Sequence, residues 1–417
     1  MKNKKQLVII DGVRTAFSKM GSSLAALDAV DLGTAVITNL ITKTGIDPEI
    51  IDETIFGCVS QPAEAANIAR VIALRAGIPK EAPAMTVHRN CASGLEAMTT
   101  ASDRMAAGHG EVFIVGGTES MSRIPLYYSY QAAGKFAQLA RSKGAMAKLS
   151  SMAAFRPADF KPIVGLMMGL TDPVAGMNMG QTAELLAREF DISREQQDQF
   201  ALDSHQKAEA AAEVLKEEMC PVYNETSKEG FVLGDNGVRK GQTIEALQKL
   251  KPIFERKTGT VTAGNSSQIT DGAVALLVMT EERAQKLALK PIGRLVDHAY
   301  AGCDPKRMGL GPAYAIQRMV ATCKLKPKDA DVVEINEAFA TQVLAVEKLL
   351  RDMRLTIPPK TLNPLGGAVA LGHPVGASGA RLVLTALKQL HNNGGKRALI
   401  SLCIGGGQGG AAWLEKV

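Results

Sequence analysis

The sequence predicts an α/β fold made of two similar halves with a different segment inserted between them. Strand-like runs alternate with stretches of helical spacing, a pattern that favours a mostly parallel sheet flanked by helices. Two glycine-rich elbows, around Cys91 and His373, each carry Ala-Ser-Gly at the start of a helix. Their separation is much longer than a solenoid repeat, so duplication of a whole domain is the better explanation.

The first half is predicted from hydrophobic periodicity and from glycine stops. Its elements are a strand over 7–11, a helix over 30–44, a strand over 53–59, a strand over 84–89, a helix from Leu95 to a stop at Gly108, and a strand over 111–115 that ends at Gly116-Gly117. Cys91 therefore lies at a strand-to-helix elbow. Unpaired N–H groups and the positive end of the helix dipole favour a thiolate there.

The second half repeats this arrangement. His373 precedes a predicted helix that breaks at 392–395, and a strand follows over 397–403. A weaker internal similarity pairs residues 45–57 with 325–336. We expect the helices that follow the two elbows to pack against each other.

The material between the halves differs in composition. Residues 121–177 are rich in Met, Ala, Lys and Arg without a strong strand signal, and 179–219 is predicted to be helical, with Ser193 as a cap and Gln196 three positions on. The apolar run 273–279 is expected to return the chain to the first half. The predicted domains are 1–120 plus 260–290, an inserted loop domain over 121–259 that covers the active site, and 291–417.

Composition excludes several classes of function. A net charge of +6 is small for 417 residues, and 4% aromatic content leaves few stacking platforms, so nucleic acid is not expected as a partner. Six cysteines without a CxxC pair predict reduced thiols, and no metal site is expected. The chain shows neither a signal peptide nor a run of about 18 apolar residues, which predicts a cytoplasmic protein.

Three reactive side chains stand in glycine-rich surroundings: Cys91, His373 and Cys403. Small neighbours let backbone N–H groups approach a reacting atom closely. A nucleophilic thiol needs a base and donors for the oxyanion that forms. This combination predicts thiol chemistry on a carbonyl group, although each of the three, taken alone, is as well explained as a buried thiol or a turn histidine.

Seven blocks, in this order, give the chain a resemblance to the thiolase family that runs from Arg14-Thr15 to the last strand. The blocks are Asn90-Cys91-Ala92-Ser93-Gly94, Met179-Gly180 with Thr182-Ala183-Glu184, Gly259 to Asn265, Asn336-Glu337-Ala338-Phe339-Ala340, Asn363 to Gly367, Gly372-His373-Pro374, and Cys403 to Gly407. The resemblance implies two βαβαβαββ halves in a five-layer αβαβα stack, with an inserted loop domain that binds coenzyme A.

The resemblance also implies the catalytic roles. Cys91 would be the acylated nucleophile, His373 its base, and Cys403 the acid and base toward the α-carbon. Asn336 would hold a water that forms one oxyanion hole with His373, and the backbone N–H groups of Cys91 and Gly405 would form the other.

Coenzyme A is implied as a co-substrate, and no permanently bound cofactor is expected. The positions that match the family's CoA contacts are Ser267, Ala263, Arg239, Met179, Phe254, Ala338 and Phe339. The other implied partners are 3-oxoacyl-CoA and acetyl-CoA, a second copy in a homodimer or homotetramer, and a hydratase/dehydrogenase subunit.

The predicted activity is that of a degradative 3-oxoacyl-CoA thiolase of fatty-acid β-oxidation, which forms a shortened acyl-CoA and acetyl-CoA with ping-pong kinetics. Asn178, where acetoacetyl-CoA-specific members commonly have histidine, and the length of 120–177 support this choice. The alternative is a biosynthetic acetoacetyl-CoA thiolase that condenses two acetyl-CoA molecules. A decarboxylating oxoacyl synthase and a non-enzymatic acyl-CoA carrier are the more distant alternatives.

One segment remains open to two interpretations. From Arg123 to Lys161 there are seven basic residues and one acidic residue, Asp159, with apolar residues at roughly helical intervals. A solvated helix face is slightly favoured over contact with an anionic membrane or a multifunctional partner.

Overall fold

The structure is a computed structural model that describes residues 6–225 and 230–417. Its strands are β1 (Leu7–Arg14), β2 (Ser18–Lys19), β3 (Glu53–Gly57), β4 (Ala84–Val87), β5 (Val112–Glu119), β6 (Leu126–Tyr127), β7 (Ile163–Val164), β8 (Thr171–Asp172), β9 (Met177–Asn178), β10 (Val222–Tyr223), β11 (Phe231–Val232), β12 (Thr270–Thr280), β13 (Gly293–Gly302), β14 (Val332–Ile335), β15 (Arg397–Ile404) and β16 (Gln408–Glu415). Its α-helices are α1 (Ala29–Thr44), α2 (Ile68–Arg75), α3 (Ser93–Ala106), α4 (Tyr130–Arg141), α5 (Ala145–Ala153), α6 (Gly165–Gly169), α7 (Met179–Glu189), α8 (Arg194–Ala210), α9 (Ala212–Lys216), α10 (Ile244–Gln248), α11 (Glu281–Lys286), α12 (Gly311–Cys323), α13 (Ala340–Asp352), α14 (Ala368–Leu371) and α15 (Ser378–Asn393).

The long strands form one mixed sheet in the order β14-β15-β16-β13-β1-β12-β5-β3-β4. The pairs β3–β4, β3–β5 and β14–β15 are parallel, whereas β1–β12, β5–β12, β1–β13, β13–β16 and β15–β16 are antiparallel. The prediction of a mostly parallel sheet is therefore wrong. Helical crossovers give parallel pairs, but β12 enters the centre after the long insertion, and β15 and β16 form a hairpin.

The two halves repeat one strand pattern. The succession β3-β5-β12-β1 in the first half corresponds to β14-β15-β16-β13 in the second, and an isolated parallel bridge between Val333 and Leu362 stands where β4 would be. The halves join where β1 meets β13 through two residue pairs, Val8 with Arg294 and Ile9 with Gly293. This arrangement confirms the predicted duplication.

Three apolar cores separate five layers. One core lies between α1 and α2 and the first half of the sheet, a second contains α3 and α15 between strands of both halves, and a third lies under α12 and α13 on the second half. Each helix buries an apolar face against a sheet, as α/β architecture requires. The αβαβα stack is confirmed.

The central helices α3 and α15 touch at glycines. A Cβ atom built on Gly94 would lie 2.8 Å from the backbone nitrogen of Ala380, and one built on Gly379 would lie 2.5 Å from the backbone nitrogen of Leu95. The expected packing of the two elbow helices is confirmed, and it brings backbone against backbone.

Several predicted boundaries shift. Gly116 and Gly117 continue β5 instead of ending it. Residue 117 is a glycine because a side chain there would collide with the carbonyl of Gly376. The predicted helix 179–219 is divided into α7, α8 and α9, and residues 121–177 contain α4, α5 and α6.

Residues 124–171 form a compact unit distinct from residues 1–123 and 172–417. The predicted domain limits at 120, 259 and 290 remain predictions. Among the described helices, none combines the length and the hydrophobicity needed to cross a membrane.

Candidate active site

Cys91 occupies the turn between β4 and α3. Asn90 has φ +43°, and the Ser93 hydroxyl donates to the carbonyl of Asn90 over 2.7 Å and accepts from the N–H of Arg89 over 2.9 Å. These bonds fix the elbow at the start of α3. The sequence-based placement of Cys91 before a helix N-terminus is therefore correct.

Two backbone N–H groups influence the Cys91 thiol. Burial raises the pKa of the Cys91 thiol, whereas the N–H groups of Gly405 and of Cys91 itself act against that rise. Asn90 fastens the opposite loop by donating its side-chain amide to the carbonyl of Gly405 over 2.7 Å. Two N–H groups thus converge at the sulfur, the arrangement that an oxyanion hole needs.

Cys403 ends β15 and is 1% exposed. Burial, and then the charge of Cys91, raise its pKa well above the usual value. The two sulfurs are therefore close enough to influence each other electrostatically. When Cys91 is a thiolate, Cys403 remains a thiol and can donate a proton.

The His373 ring is held from both sides. Nδ1 lies 2.6 Å from the hydroxyl oxygen of Ser378, and this hydroxyl also bonds the carbonyl of Pro374 over 2.9 Å. Because the hydroxyl proton goes to that carbonyl, the network assigns the imidazole proton to Nδ1. The lone pair is then at Nε2, which lies 3.4 Å from Nδ2 of Asn336.

The protonation state of His373 follows from its surroundings. Burial, and then the positive charge of Arg381, lower its pKa to about 4. The ring is therefore neutral at pH 7 and carries its lone pair at Nε2, as a general base requires.

Asn336 follows β14, beside β15. Its backbone N–H donates to the carbonyl of Ser401 over 2.9 Å, and its side-chain oxygen is buried without a protein partner. The next residue, Glu337, accepts from Ser204, Asn363 and the N–H of Val369 over 2.7–3.1 Å. This buried carboxylate keeps the loop that carries Asn336 in place.

Three supporting residues were missed from the sequence: Ser378, Glu337 and Glu119. Glu119, at the end of β5, accepts from the N–H groups of Val59, Ser60 and Gly376 over 2.8–3.1 Å, and burial raises its pKa to about 6. Ser378 left a signal, because its Ala-Ser-Gly repeats the one after Cys91, and Glu337 stands in the family block 336–340, whereas Glu119 left none. His88, the counterpart of His373 in that repeat, is exposed.

The CoA positions fall into two groups. Met179, Phe254, Ala338 and Phe339 share an apolar cluster with Cys403, and the rings of Phe254 and Phe339 lie 6.1 Å apart. Ser267 adjoins this cluster, since its N–H donates to the carbonyl of Ala338 over 2.9 Å.

Arg239 and Ala263 are not members of the apolar cluster, and Ala263 is exposed. The backbone N–H of Arg239 donates to Nδ1 of His205 over 3.2 Å. Burial, and then the charge of Arg239, lower the pKa of Lys19, so these two cations lie near each other.

Within residues 6–225 and 230–417, no group of three or more His, Cys, Asp or Glu side chains could hold a metal ion.

Comparisons with known proteins agree with this architecture. Residues 7–282 match the family model "Thiolase, N-terminal domain", and residues 289–416 match "Thiolase, C-terminal domain". An acetyl-CoA acetyltransferase of Cupriavidus necator is 39% identical over 98% of this chain and 99% of its own length. A probable acetyl-CoA acyltransferase of Staphylococcus aureus is 39% identical over 99% of both chains.

A solved structure shows the same likeness. Human mitochondrial 3-ketoacyl-CoA thiolase in complex with CoA superposes with a TM-score of 0.88 at 36% identity, over 99% of this chain and 98% of the human chain. The family models and the relatives cover almost all of the sequence. The chain therefore belongs to the thiolase family of acyltransferases.

Proposed function

We propose that this enzyme is an acetyl-CoA C-acetyltransferase, which condenses two acetyl-CoA molecules to acetoacetyl-CoA and CoA, and catalyses the reverse reaction, through an acetyl-Cys91 intermediate. The observation that carries the proposal is the hydrogen bond of 2.7 Å from the Asn90 side-chain amide to the carbonyl of Gly405, which joins the Cys91 elbow to the loop after Cys403, together with the effect of the Cys91 charge on the pKa of Cys403. Breaking and making a carbon–carbon bond next to a thioester requires a nucleophile and a separate proton carrier, and two thiols supply both.

In the first half-reaction, His373 Nε2 takes the Cys91 thiol proton. The thiolate attacks the carbonyl carbon of acetyl-CoA, and the oxyanion is stabilised by the N–H groups of Cys91 and Gly405. The carbon–sulfur bond to CoA then breaks, and His373 returns its proton to the departing CoA thiolate. This leaves acetyl-Cys91 and free CoA.

In the second half-reaction, His373 takes the proton of the Cys403 thiol, and the Cys403 thiolate removes a proton from the methyl carbon of another acetyl-CoA. The resulting enolate oxygen is stabilised by His373 and by a water held at Asn336, whose side-chain oxygen has no protein partner. The enolate carbon attacks acetyl-Cys91, a carbon–carbon bond forms, and the carbon–sulfur bond to Cys91 breaks. The Cys91 thiolate recovers a proton from His373, which becomes neutral again.

Thiolysis reverses these steps. The Cys91 thiolate attacks the 3-keto carbon, the C2–C3 bond breaks, and Cys403 protonates the acetyl-CoA enolate at carbon. Because every step is reversible, the direction depends on the concentrations of CoA and acetyl-CoA.

CoA would enter along the apolar cluster of Met179, Phe254, Ala338 and Phe339, which reaches Cys403. We propose that Ser267 and Ala263 contact the pantetheine arm and that Arg239, with Lys19 nearby, binds phosphate oxygens.

The name of the Cupriavidus necator relative, acetyl-CoA acetyltransferase, supports acetyl transfer over the degradative activity expected from the sequence, whereas the word acyltransferase in the name of the Staphylococcus aureus relative leaves the acyl chain open. One argument for the degradative activity also weakens. Asn178 is the N-cap of α7, and its side-chain oxygen accepts from the N–H of Gln181 over 2.9 Å, so capping is sufficient to explain this residue.

Degradative cleavage of longer 3-oxoacyl-CoA substrates is the second candidate. It is supported by the likeness to the human 3-ketoacyl-CoA thiolase. The predicted homodimer or homotetramer, the hydratase/dehydrogenase partner and the cytoplasmic location remain predictions.

Two measurements test the proposal. Intact-mass spectrometry after incubation with acetyl-CoA should show one acetyl adduct, which is lost in Cys91→Ala and retained in Cys323→Ala, a matched change at another partly buried cysteine. An adduct that persists in Cys91→Ala would refute the intermediate.

Thiolysis rates should fall steeply beyond four acyl carbons; equal or higher rates on longer chains would instead establish the degradative candidate.

A further inference from the structure

The unit formed by residues 124–171 has its own small aromatic core. The ring of Phe136 lies 5.3 Å from that of Tyr128, 4.9 Å from that of Phe155 and 6.1 Å from that of Phe160. These contacts hold α4 to the segments that precede it and that follow α5.

The unit exposes an unusual amount of apolar surface. Of the twenty large hydrophobic side chains that are exposed among the described residues, twelve lie in this segment of 48 residues. They are Leu126, Tyr127, Tyr128, Tyr130, Met146, Leu149, Met152, Phe160, Ile163, Val164, Met167 and Met168. A concentration of this kind marks an interaction surface.

Helix α5 turns its apolar side outward. Met146, Leu149 and Met152 are 81%, 65% and 58% exposed and, at spacings of three, share one face. Ser151 lies on the other side of the helix, is buried, and bonds the hydroxyl of Ser142 over 2.7 Å. Methionine and leucine on the exposed side of α5 favour contact with another surface over the solvated helix face that the sequence slightly favoured.

The charges beside this face have one sign. The one acidic residue of the unit, Asp159, bonds Lys135 over 2.6 Å and the N–H of Arg156 over 2.7 Å. Arg141, Lys143 and Lys148 are exposed and flank the apolar side of α5. The surface is therefore both apolar and cationic.

We propose that the unit 124–171 binds the surface of an anionic lipid bilayer, with α5 lying in the interface, its apolar face among the acyl chains and its basic residues at the lipid headgroups. Charge complementarity selects this occupant. A second copy would bring the same cations face to face across a symmetric contact and would be repelled. Tyr130 is 99% exposed, and tyrosine side chains are enriched at the headgroup level of bilayers. The proposal does not depend on which thiolase reaction the enzyme catalyses.

Vesicle co-sedimentation of the full chain tests the proposal. The protein should sediment with vesicles that contain phosphatidylglycerol in phosphatidylcholine, and much less with phosphatidylcholine alone. Lys143→Glu with Lys148→Glu should lower the partition coefficient by at least about 30-fold, since each basic residue near such a surface contributes about a fivefold factor. Met146→Ser with Leu149→Ser should also weaken binding, but independently of salt.

The matched control is Lys286→Glu with Lys290→Glu, which changes the same charge at exposed positions outside the unit. It should sediment nearly as the unmodified protein does, and thermal unfolding should show that all variants are folded. The proposal would be overturned if the protein did not sediment with anionic vesicles, or if the control lost as much binding as Lys143→Glu with Lys148→Glu. It would also be overturned if the Met146→Ser/Leu149→Ser variant bound vesicles normally but changed its subunit number in sedimentation velocity. That result would assign the face to a second copy.

Discussion

The side-chain nitrogen of Asn336 lies 3.4 Å from Nε2 of His373, and both residues are buried. Asn336 donates to the unprotonated ring nitrogen, so the pair stabilises the neutral imidazole and keeps it oriented. This relationship links the end of β14 to the loop before α15, two segments with no sequence proximity.

Cys403→Ala should separate the two half-reactions. The variant should still accept an acetyl group on Cys91, because that step requires only the nucleophile and His373. Carbon–carbon bond formation and cleavage should fall by about 10²- to 10⁴-fold, the usual contribution of a positioned acid or base. Adduct formation by mass spectrometry and thiolysis by absorbance measure the two steps; full thiolysis in the variant would refute the role of Cys403.

Ser378→Ala tests the hydrogen bond that fixes the His373 ring. Loss of the hydroxyl leaves Nδ1–H unpaired in a buried site, which costs about 1–3 kcal/mol and should lower kcat by about 10- to 100-fold. Thr385→Ala is the matched control, since it removes another buried hydroxyl of α15, one that bonds Glu218 over 3.0 Å. The two variants should lose similar stability. A similar loss of kcat in both would show that the role of Ser378 is merely structural.

The pH dependence should report the lowered pKa of His373. With a pKa of about 4 in the folded protein, the base stays neutral well below pH 6.5, and the acid limb of kcat/KM should lie near 4. The ordinary value of about 6.5 applies in the unfolded chain, so the stabilisation is complete above that pH and is lost as the pH falls toward 4, by about 3 kcal/mol. Urea unfolding at several pH values should show this dependence in the wild type and not in His373→Gln. An acid limb near 6.5 would contradict the assignment.

Gly372→Ala should be unusually destabilising. Its φ is +101°, and a Cβ would collide with the side chain of Thr270, which accepts from the N–H of His373. Backbone strain and overpacking together should cost about 2–5 kcal/mol. Gly394→Ala is the control, with φ +73° and open space around it, and should cost about 1 kcal/mol. Equal losses in denaturant midpoints would show that the collision is relieved.

The sequence predicted local features well. Periodicity and glycine stops located α1, α3 and α15, and the Ala-Ser-Gly repeat indicated the duplication. The strand pairings that failed depend on where β12 and β13 return after long excursions, which no local pattern records. The role of Glu119 was not predicted for the same reason. Its three backbone partners, at Val59, Ser60 and Gly376, are distant along the chain and become its neighbours only in the fold.

The glycine contact between α3 and α15 has a consequence for evolution and for engineering. Side chains change rotamers and tolerate substitution, but at Gly94 and Gly379 the main chains of the two helices meet with no side chain between them. The distance between the elbow that carries Cys91 and the elbow that carries His373 is thus set by direct contact between the two main chains. A Cβ atom at either position would therefore push the two elbows apart, whatever side chains the surrounding core carries.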